Sequence, residues 1–110
     1  MERLVKGDIV VIPFPFSDLS ASKKRPALIL ASLQGDDLIL CQITSEARYD
    51  RYSIKLEDSD FKQGRLQTIS MIRPNKLITA DKSIIQYKIG SLKAEKLREA
   101  VDSVVKMFRE

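Results

Sequence analysis

The chain has 110 residues, of which 44% are hydrophobic and 31% charged, the size and composition of one compact globular domain. Its 19 basic and 15 acidic side chains give a formal charge of +4, which indicates only a mild preference for polyanionic partners. The sequence contains no histidine. This excludes histidine-dependent catalytic triads and metal sites of the HExxH type.

The single cysteine, Cys41, lies within an apolar run, so we expect a buried small side chain and a protein of a reducing compartment. Residues 1–7 lack the apolar segment of a secretory signal, and no stretch approaches membrane-spanning length. No repeat, linker or change of composition divides the chain. We therefore expect one domain over residues 1–110, located in the cytoplasm, with no membrane partner.

The first predicted strand follows the turn signal Lys6-Gly7-Asp8. The segment Ile9-Val10-Val11-Ile12 is apolar at both parities, which predicts a strand covered on both faces. We expect Pro13-Phe14-Pro15-Phe16 to end it, because proline cannot donate to a sheet ladder. A polar loop is predicted over residues 17–24. The two phenylalanines at its base either anchor the loop or offer a stacking surface for nucleic-acid bases.

The next segment combines three adjacent cations, Lys23-Lys24-Arg25, with an apolar strand predicted over residues 26–33. An arginine held at the mouth of a rigid strand is suited to binding phosphate. The alternative is a solvated basic turn before an ordinary core strand.

A hairpin turn around Gly35 is predicted to join this strand to a third one over residues 38–44, with Gln42 and Thr44 on one face. Arg25 lies ten residues before Gly35, and Thr44 lies nine after it. In an antiparallel hairpin, residues about equally far from the turn lie opposite each other. The count therefore predicts that Arg25 and Thr44 are near neighbours across the ladder.

Shorter elements are predicted in the second half of the chain. Residues 52–56 alternate as a strand, and residues 57–60 form an acidic turn or a single helical turn. A further strand is expected over residues 66–74, where Pro74 marks an edge or an exit, with a bent continuation to residue 79. Residues 84–89 are predicted as a last short strand or a helical turn.

A C-terminal helix is predicted from the N-cap residue Ser91 onward. Its apolar side chains recur at helical spacing and are expected to cover one side of the sheet: Leu97, Val101, Val104 and Phe108. Five or six short strands followed by one helix predict a mainly β, α+β domain. The expected architecture is a small, strongly curved β-barrel with a C-terminal helix packed on it.

Four segments in order resemble the MazF/PemK toxin family. These are Gly7-Asp8-Ile9-Val10, Arg25-Pro26-Ala27-Leu28-Ile29-Leu30, Gln42-Ile43-Thr44-Ser45, and the later strand ending Ile72-Arg73. Each motif is short, but their order and spacing together are fairly specific and cover nearly the whole chain. The sequence departs from the family in lacking a histidine in the early loop that some members carry. It also offers Thr68 and Ser70 where some members have an acidic residue, and Phe14-Pro15-Phe16 where an acidic-proline pattern is commoner.

The resemblance implies an SH3-like, MazF/CcdB-like barrel that acts as a homodimer. It also implies the toxin of a type II toxin–antitoxin system, an endoribonuclease that cuts single-stranded RNA without a metal or other cofactor. A cognate antitoxin, whose disordered tail blocks the RNA groove, is the implied protein partner. Arg25 and Thr44 match the family's catalytic positions. The candidate RNA-binding residues are Phe14, Phe16, Ser17, Lys23, Lys24, Gln42, Ser45, Thr68 and Ser70.

Two alternatives stay open at this stage. The same barrel could bind nucleic acid or protein without cutting, as gyrase-inhibiting toxins of similar fold do, because a fold does not determine a function. A structural protein with a merely solvated basic loop is the third interpretation. The predicted pairing of Arg25 with Thr44 favours catalysis, because a plain binder does not need that pair.

Overall fold

The computed structural model describes residues 3–15, 22–46 and 50–110. These residues form one antiparallel sheet of seven strands, curled into a half-barrel, with one helix after it. The strands are β1 (Asp8–Pro15), β2 (Ser22–Ser32), β3 (Asp37–Thr44), β4 (Ile54–Leu56), β5 (Phe61–Gly64), β6 (Ser70–Asp81) and β7 (Tyr87–Leu92), and the helix is α1 (Ala94–Phe108). Their spatial order is β4-β6-β3-β2-β1-β7-β5. The predicted curved β-barrel with a C-terminal helix is confirmed.

The sheet is apolar on both faces, as expected for strands such as β1 that lack polar alternation. We call one side the helix face, because α1 covers it with Leu97, Val101 and Val104. Its fully buried strand residues include Ile9, Leu28, Cys41, Ile43 and Ile72. We call the other side the Arg25 face; its core comprises Val10, Ile12, Ala27, Ile29, Leu38, Leu40 and Ala80.

Cys41 is completely buried, as predicted, and is a free thiol. Burial raises the pKa of Cys41 to about 12, because the thiolate would lose its hydration inside the core. The thiol therefore stays protonated and behaves as a small hydrophobic side chain.

The first strand is longer than predicted, because Pro13, Phe14 and Pro15 of the segment expected to end it still belong to β1. The carbonyl oxygen of Val11 accepts a hydrogen bond from the N–H of Gln86, on the side of β1 away from β2. The backbone nitrogens of Pro13 and Pro15, two and four residues further on, are directed to the same side. β7 pairs with β1 only as far as Val11. The nitrogens of Pro13 and Pro15 thus face a side where none of the described strands is paired with β1, and the missing N–H groups break no ladder bond there.

The prediction for the later strands also needs correction. β6 begins at Ser70 and runs unbroken through Pro74 to Asp81. The pairing with β3 jumps from Gln42–Arg73 to Cys41–Leu77, so Pro74 lies in a bulge, where it displaces no ladder hydrogen bond. The short strand β5 was not predicted, because its sequence Phe61-Lys62-Gln63-Gly64 has a single apolar side chain.

Ser91 is not the helix N-cap. It is 4% exposed within β7, where it pairs with Asp8 and Gln63, and the N-cap is Lys93. The backbone N–H of Lys93 donates a hydrogen bond to the carbonyl of Asp60, and this bond joins the start of the helix to the 3-10 turn before β5. Phe108 is 72% exposed and, unlike Leu97, Val101 and Val104, is not packed against the helix-face core. In the described ranges, no helix is long and apolar enough to cross a membrane.

Candidate functional site

Arg25 and Thr44 lie on neighbouring strands of the Arg25 face. The β2–β3 register pairs Ala27 with Gln42, and continuing it by two residues on each strand sets Arg25 opposite Thr44. A bulge at Leu30 is needed to reach this alignment, because the register shifts by one residue between Ile29 and Ala31. The ladder therefore agrees with the neighbour relationship predicted from the hairpin count.

The surroundings of the two side chains differ. Thr44 is 4% exposed at the end of β3, and its Oγ1 accepts a hydrogen bond of 3.1 Å from the N–H of Glu46. This contact uses an acceptor position of the hydroxyl and leaves its proton available for donation. Arg25 is half-buried on β2 and pairs with the buried Ile12 of β1. The pair combines a guanidinium donor fork with one fixed hydroxyl.

The basic residues beside Arg25 fall on opposite faces. All three cations lie inside β2 rather than before it, and Lys23 and Lys24 are exposed. Alternation along the strand puts Lys23 on the Arg25 face. Lys24 falls on the helix face, because it is an even number of residues from Leu28, which packs in the helix-face core. Of the two lysines, only Lys23 thus shares a face with Arg25.

Gln42 and Ser45 stay close to the pair. Gln42 is half-buried on β3 between its ladder partners Ala27 and Arg73, and it shares the face of Thr44. Ser45 is exposed directly after β3. The structure brings both to the surroundings of Arg25 and Thr44.

The remaining predicted contacts comprise one residue of β1, two residues outside the described ranges, and two residues at or just before the start of β6. The backbone of Phe14 pairs with that of Lys23, while Phe16 and Ser17 lie outside the described residues. Thr68 is exposed in the segment before β6. Ser70 is 4% exposed, shares the parity of Ile72 on the helix face, and donates its hydroxyl to the carbonyl of Thr68. The RNA contacts predicted for these five residues stay predictions.

A second arginine on the Arg25 face was missed. Arg73 of β6 pairs with Gln42, and its Nη2 lies 3.2 Å from Oδ2 of Asp50. Nδ2 of Asn75 is 3.5 Å from the same oxygen. Among the described residues, Nε of Arg73 and Oδ1 of Asn75 are buried without a hydrogen-bond partner, so a bound water or polar ligand would complete this cluster.

Asp50 also holds the segment that leads into β4 by accepting hydrogen bonds from Tyr52 and Ser53. Its Oδ1 accepts hydrogen bonds from the N–H groups of Tyr52 and Ser53 and from the Ser53 hydroxyl. Partial burial acts to raise the pKa of Asp50, but these bonds and the one from Arg73 together hold it below its ordinary value of 3.8. No periodicity links Asp50 to Arg73, which lie 23 residues apart, so the sequence carried no local signal for this pair.

The curled sheet, with a helix on one face and cations on the other, defines a small MazF-type barrel. A family model described as "PemK-like, MazF-like toxin of type II toxin-antitoxin system" matches residues 5–108. The chain therefore belongs to that toxin family. A search of curated protein sequences found no match.

Solved structures with the same fold agree with this assignment. MazF (Form-I) from Deinococcus radiodurans is 18% identical with a TM-score of 0.77, and the match covers 100% of both chains. MazE-MazF (Form-III) from the same organism is 18% identical with a TM-score of 0.74 and covers 96% of each chain. An endoribonuclease in complex with its cognate antitoxin from Mycobacterial species is 12% identical with a TM-score of 0.71, covering 96% of this chain and 97% of that one.

Proposed function

We propose that this chain is an endoribonuclease toxin that cleaves single-stranded RNA at the Arg25–Thr44 pair. The observation that carries the proposal is the β2–β3 register, whose extension by two residues beyond Ala27 and Gln42 aligns these two polar residues where the apolar core of the Arg25 face ends. Membership of the toxin family and the fold shared with a solved endoribonuclease support it. A plain binding barrel has no need for this alignment.

The reaction we propose uses the RNA's own 2′-hydroxyl as the nucleophile. The 2′-oxygen forms a bond to phosphorus, the bond from phosphorus to the 5′-oxygen breaks, and a proton passes to that leaving oxygen. The products are a 2′,3′-cyclic phosphate and a 5′-hydroxyl. DNA resists because it lacks the attacking group. What the protein must supply is alignment and stabilisation of the charge that develops on the phosphate.

Arg25 and Thr44 supply complementary parts of this chemistry. The guanidinium of Arg25 offers two parallel donors to the non-bridging oxygens and stabilises the departing 5′-oxygen. It is a poor general base, because the pKa of an arginine side chain ordinarily lies above about 12. The Thr44 hydroxyl, held by Glu46, donates to the phosphate or orients the 2′-hydroxyl. With no histidine in the chain, the 2′-proton leaves to water or to the substrate's own phosphate.

The proposed partners follow from the solved neighbours. One is a MazE-MazF complex, and another contains an endoribonuclease with its cognate antitoxin. We propose that this chain likewise forms a homodimer, acts on mRNA in the cytoplasm and is neutralised by a cognate antitoxin. An acidic, partly disordered antitoxin tail would compete with RNA for the basic Arg25 face.

The test incubates the purified protein with a mixed single-stranded RNA in EDTA and maps the new 5′ ends. We expect cuts at a short recurring sequence, 5′-hydroxyl ends, and no cutting of the DNA equivalent. The Arg25→Ala variant should lose about 10²–10³ in rate while keeping the wild-type circular dichroism spectrum. Intact RNA with tight binding would overturn the proposal in favour of a binding barrel. Wild-type-like cutting by Arg25→Ala would overturn the assigned site.

A further inference from the structure

The row that contains Arg25 and Thr44 extends over two more strands. β3 pairs Thr44 with Met71 of β6, and β4 pairs Lys55 with the same Met71. Directly paired residues of antiparallel strands project to one face. Arg25, Thr44, Met71 and Lys55 therefore form a single row across β2, β3, β6 and β4.

Burial along β4 agrees with this placement. Ile54 and Leu56 are buried in the helix-face core, whereas the side chain of Lys55 between them is 60% exposed. With strands about 4.8 Å apart, three steps separate Lys55 from Arg25 by roughly 14 Å. A few nucleotides of extended RNA cover such a distance.

The charges along this row favour an RNA backbone that runs from the Arg25–Thr44 pair towards Lys55. Thr44 and Met71, between the two cations, carry no charge. In the adjacent row, Arg73 is paired with Asp50 at 3.2 Å, which offsets that acidic group. In the opposite direction, the row meets Ile12, which is fully buried. The exposed cation at its end is thus Lys55.

The geometry points to Lys55 as a substrate-binding residue, the phosphate contact at which RNA leaves the Arg25–Thr44 pair across β6 and β4. This inference rests on the proposed function. Lys55 lies 2.9 Å from Glu57, whose side chain is 46% exposed. An ion pair in water is weak, so an RNA phosphate can replace the carboxylate. The backbone of β4 is held meanwhile, because Lys96 donates to the carbonyl of Lys55.

The competing explanation is that Lys55 only protects an exposed sheet edge, since β4 is the outermost strand of the order. Binding to an RNA with 2′-fluoro in place of every 2′-hydroxyl separates the two, because that probe cannot be cleaved. We expect Lys55→Ala to weaken binding about three- to tenfold at low salt. The slope of log Kd against log salt should fall by about 0.7, the value for one phosphate contact on a single strand.

Two matched variants sharpen the test. Lys106→Ala removes the same charge from an exposed position on α1, across the sheet, and should change neither affinity nor slope. Glu57→Gln removes the competing carboxylate and should tighten binding. In cleavage assays, the loss in Lys55→Ala should fall on KM rather than on kcat, and Lys55→Arg should restore it. Lys55→Ala behaving like Lys106→Ala would overturn the inference.

Shortening the RNA probe from either end shows in which direction the RNA runs from the Arg25–Thr44 pair to Lys55. Removing nucleotides from one end of the RNA should abolish the difference between wild type and Lys55→Ala, and removing them from the other end should not. A difference that survives trimming from both ends would overturn the inference. If the wild type binds the probe with this Lys55 dependence but does not cut natural RNA, the ribonuclease proposal fails alone. If it cuts RNA without any Lys55 dependence, only the further inference fails.

Discussion

Arg73 on β6 and Asp50, six residues beyond the end of β3, are joined by an ion pair of 3.2 Å between Nη2 and Oδ2. The arginine side chain is 15% exposed and that of the aspartate 35%. The chain leaves the sheet at Thr44, whose hydroxyl binds the N–H of Glu46, and is fastened again at Asp50. Both ends of this connection are thus tied to the Arg25 face.

Asp50→Asn tests the charge of this anchor, because the amide oxygen can still accept the Tyr52 and Ser53 N–H groups. The pKa of Asp50 is lowered in the fold, so its stabilisation is present above the ordinary value of 3.8 and is lost as the pH falls through the lowered value. We expect the variant to have a lower Tm than wild type at pH 7. The difference should shrink steadily below about pH 4. Thermal unfolding across pH measures this, with the exposed Asp102→Asn as control; a difference independent of pH would contradict it.

Lys23→Ala and Lys24→Ala form a matched pair that removes one charge each from adjacent positions of β2. Because only Lys23 shares the Arg25 face, we expect its loss to weaken RNA binding more. It should also reduce the slope of log Kd against log salt by about 0.7. Lys24→Ala should stay close to wild type in fluorescence anisotropy titrations. Equal effects from both variants would argue that RNA contacts the N-terminal end of β2 from either side.

Thr44→Val tests the hydroxyl with little change in side-chain shape. It leaves the N–H of Glu46 without its acceptor, so we expect a stability loss of about 1 kcal/mol in urea unfolding. RNA cleavage should fall by at least tenfold, since a charge-stabilising donor is removed. Thr44→Ser keeps the hydroxyl and should recover most of the activity. A Thr44→Val protein that cuts at the wild-type rate would remove Thr44 from the site.

Alanine variants of Gly64 and Gly35 distinguish the cost of backbone strain from the cost of a steric clash. Both have positive φ, +76° and +78°, so alanine at either position costs about 1–2 kcal/mol in conformational energy. A Cβ at Gly64 would also collide with the backbone of Ile89 and Gly90, whereas one at Gly35 meets open space. We expect Gly64→Ala to lose clearly more stability than Gly35→Ala in urea unfolding. Similar losses would mean that β5 moves away from β7 at little cost.

The hairpin around Gly35 shows what could be predicted from sequence. Its turn composition and two apolar runs indicated that β2 and β3 pair, and extending the observed ladder by two residues beyond Ala27 and Gln42 sets Arg25 opposite Thr44, close to the count from Gly35. Local patterns carried that information. The different orientations of Lys23 and Lys24 were harder to predict. They follow from β2 beginning at Ser22, before the apolar run, so that strand alternation includes both lysines and directs Lys24 to the helix face.

What could not be predicted depends on distant neighbours. β5 exists because Phe61 packs into the core and pairs with Leu92, although its sequence is mostly polar. Ser91 has the local character of a helix cap, but the ladder with Asp8 and Gln63 keeps it in β7. The Arg73–Asp50 pair joins segments 23 residues apart. Tertiary pairing overrides local propensity in each case.

The bulge at Leu30 decides which way Arg25 points. Leu30 packs in the helix-face core, and its neighbour Ala31 pairs with Ile39, which packs against that same core. Ile29, one step further on, lies in the Arg25-face core, so the alternation has shifted by one residue. A regular strand from Ala31 would have turned Arg25 onto the helix face. Among descendants of this sequence, a single-residue insertion or deletion within β2 between Arg25 and Ser32 therefore keeps Arg25 on its face only where a bulge is gained or lost with it.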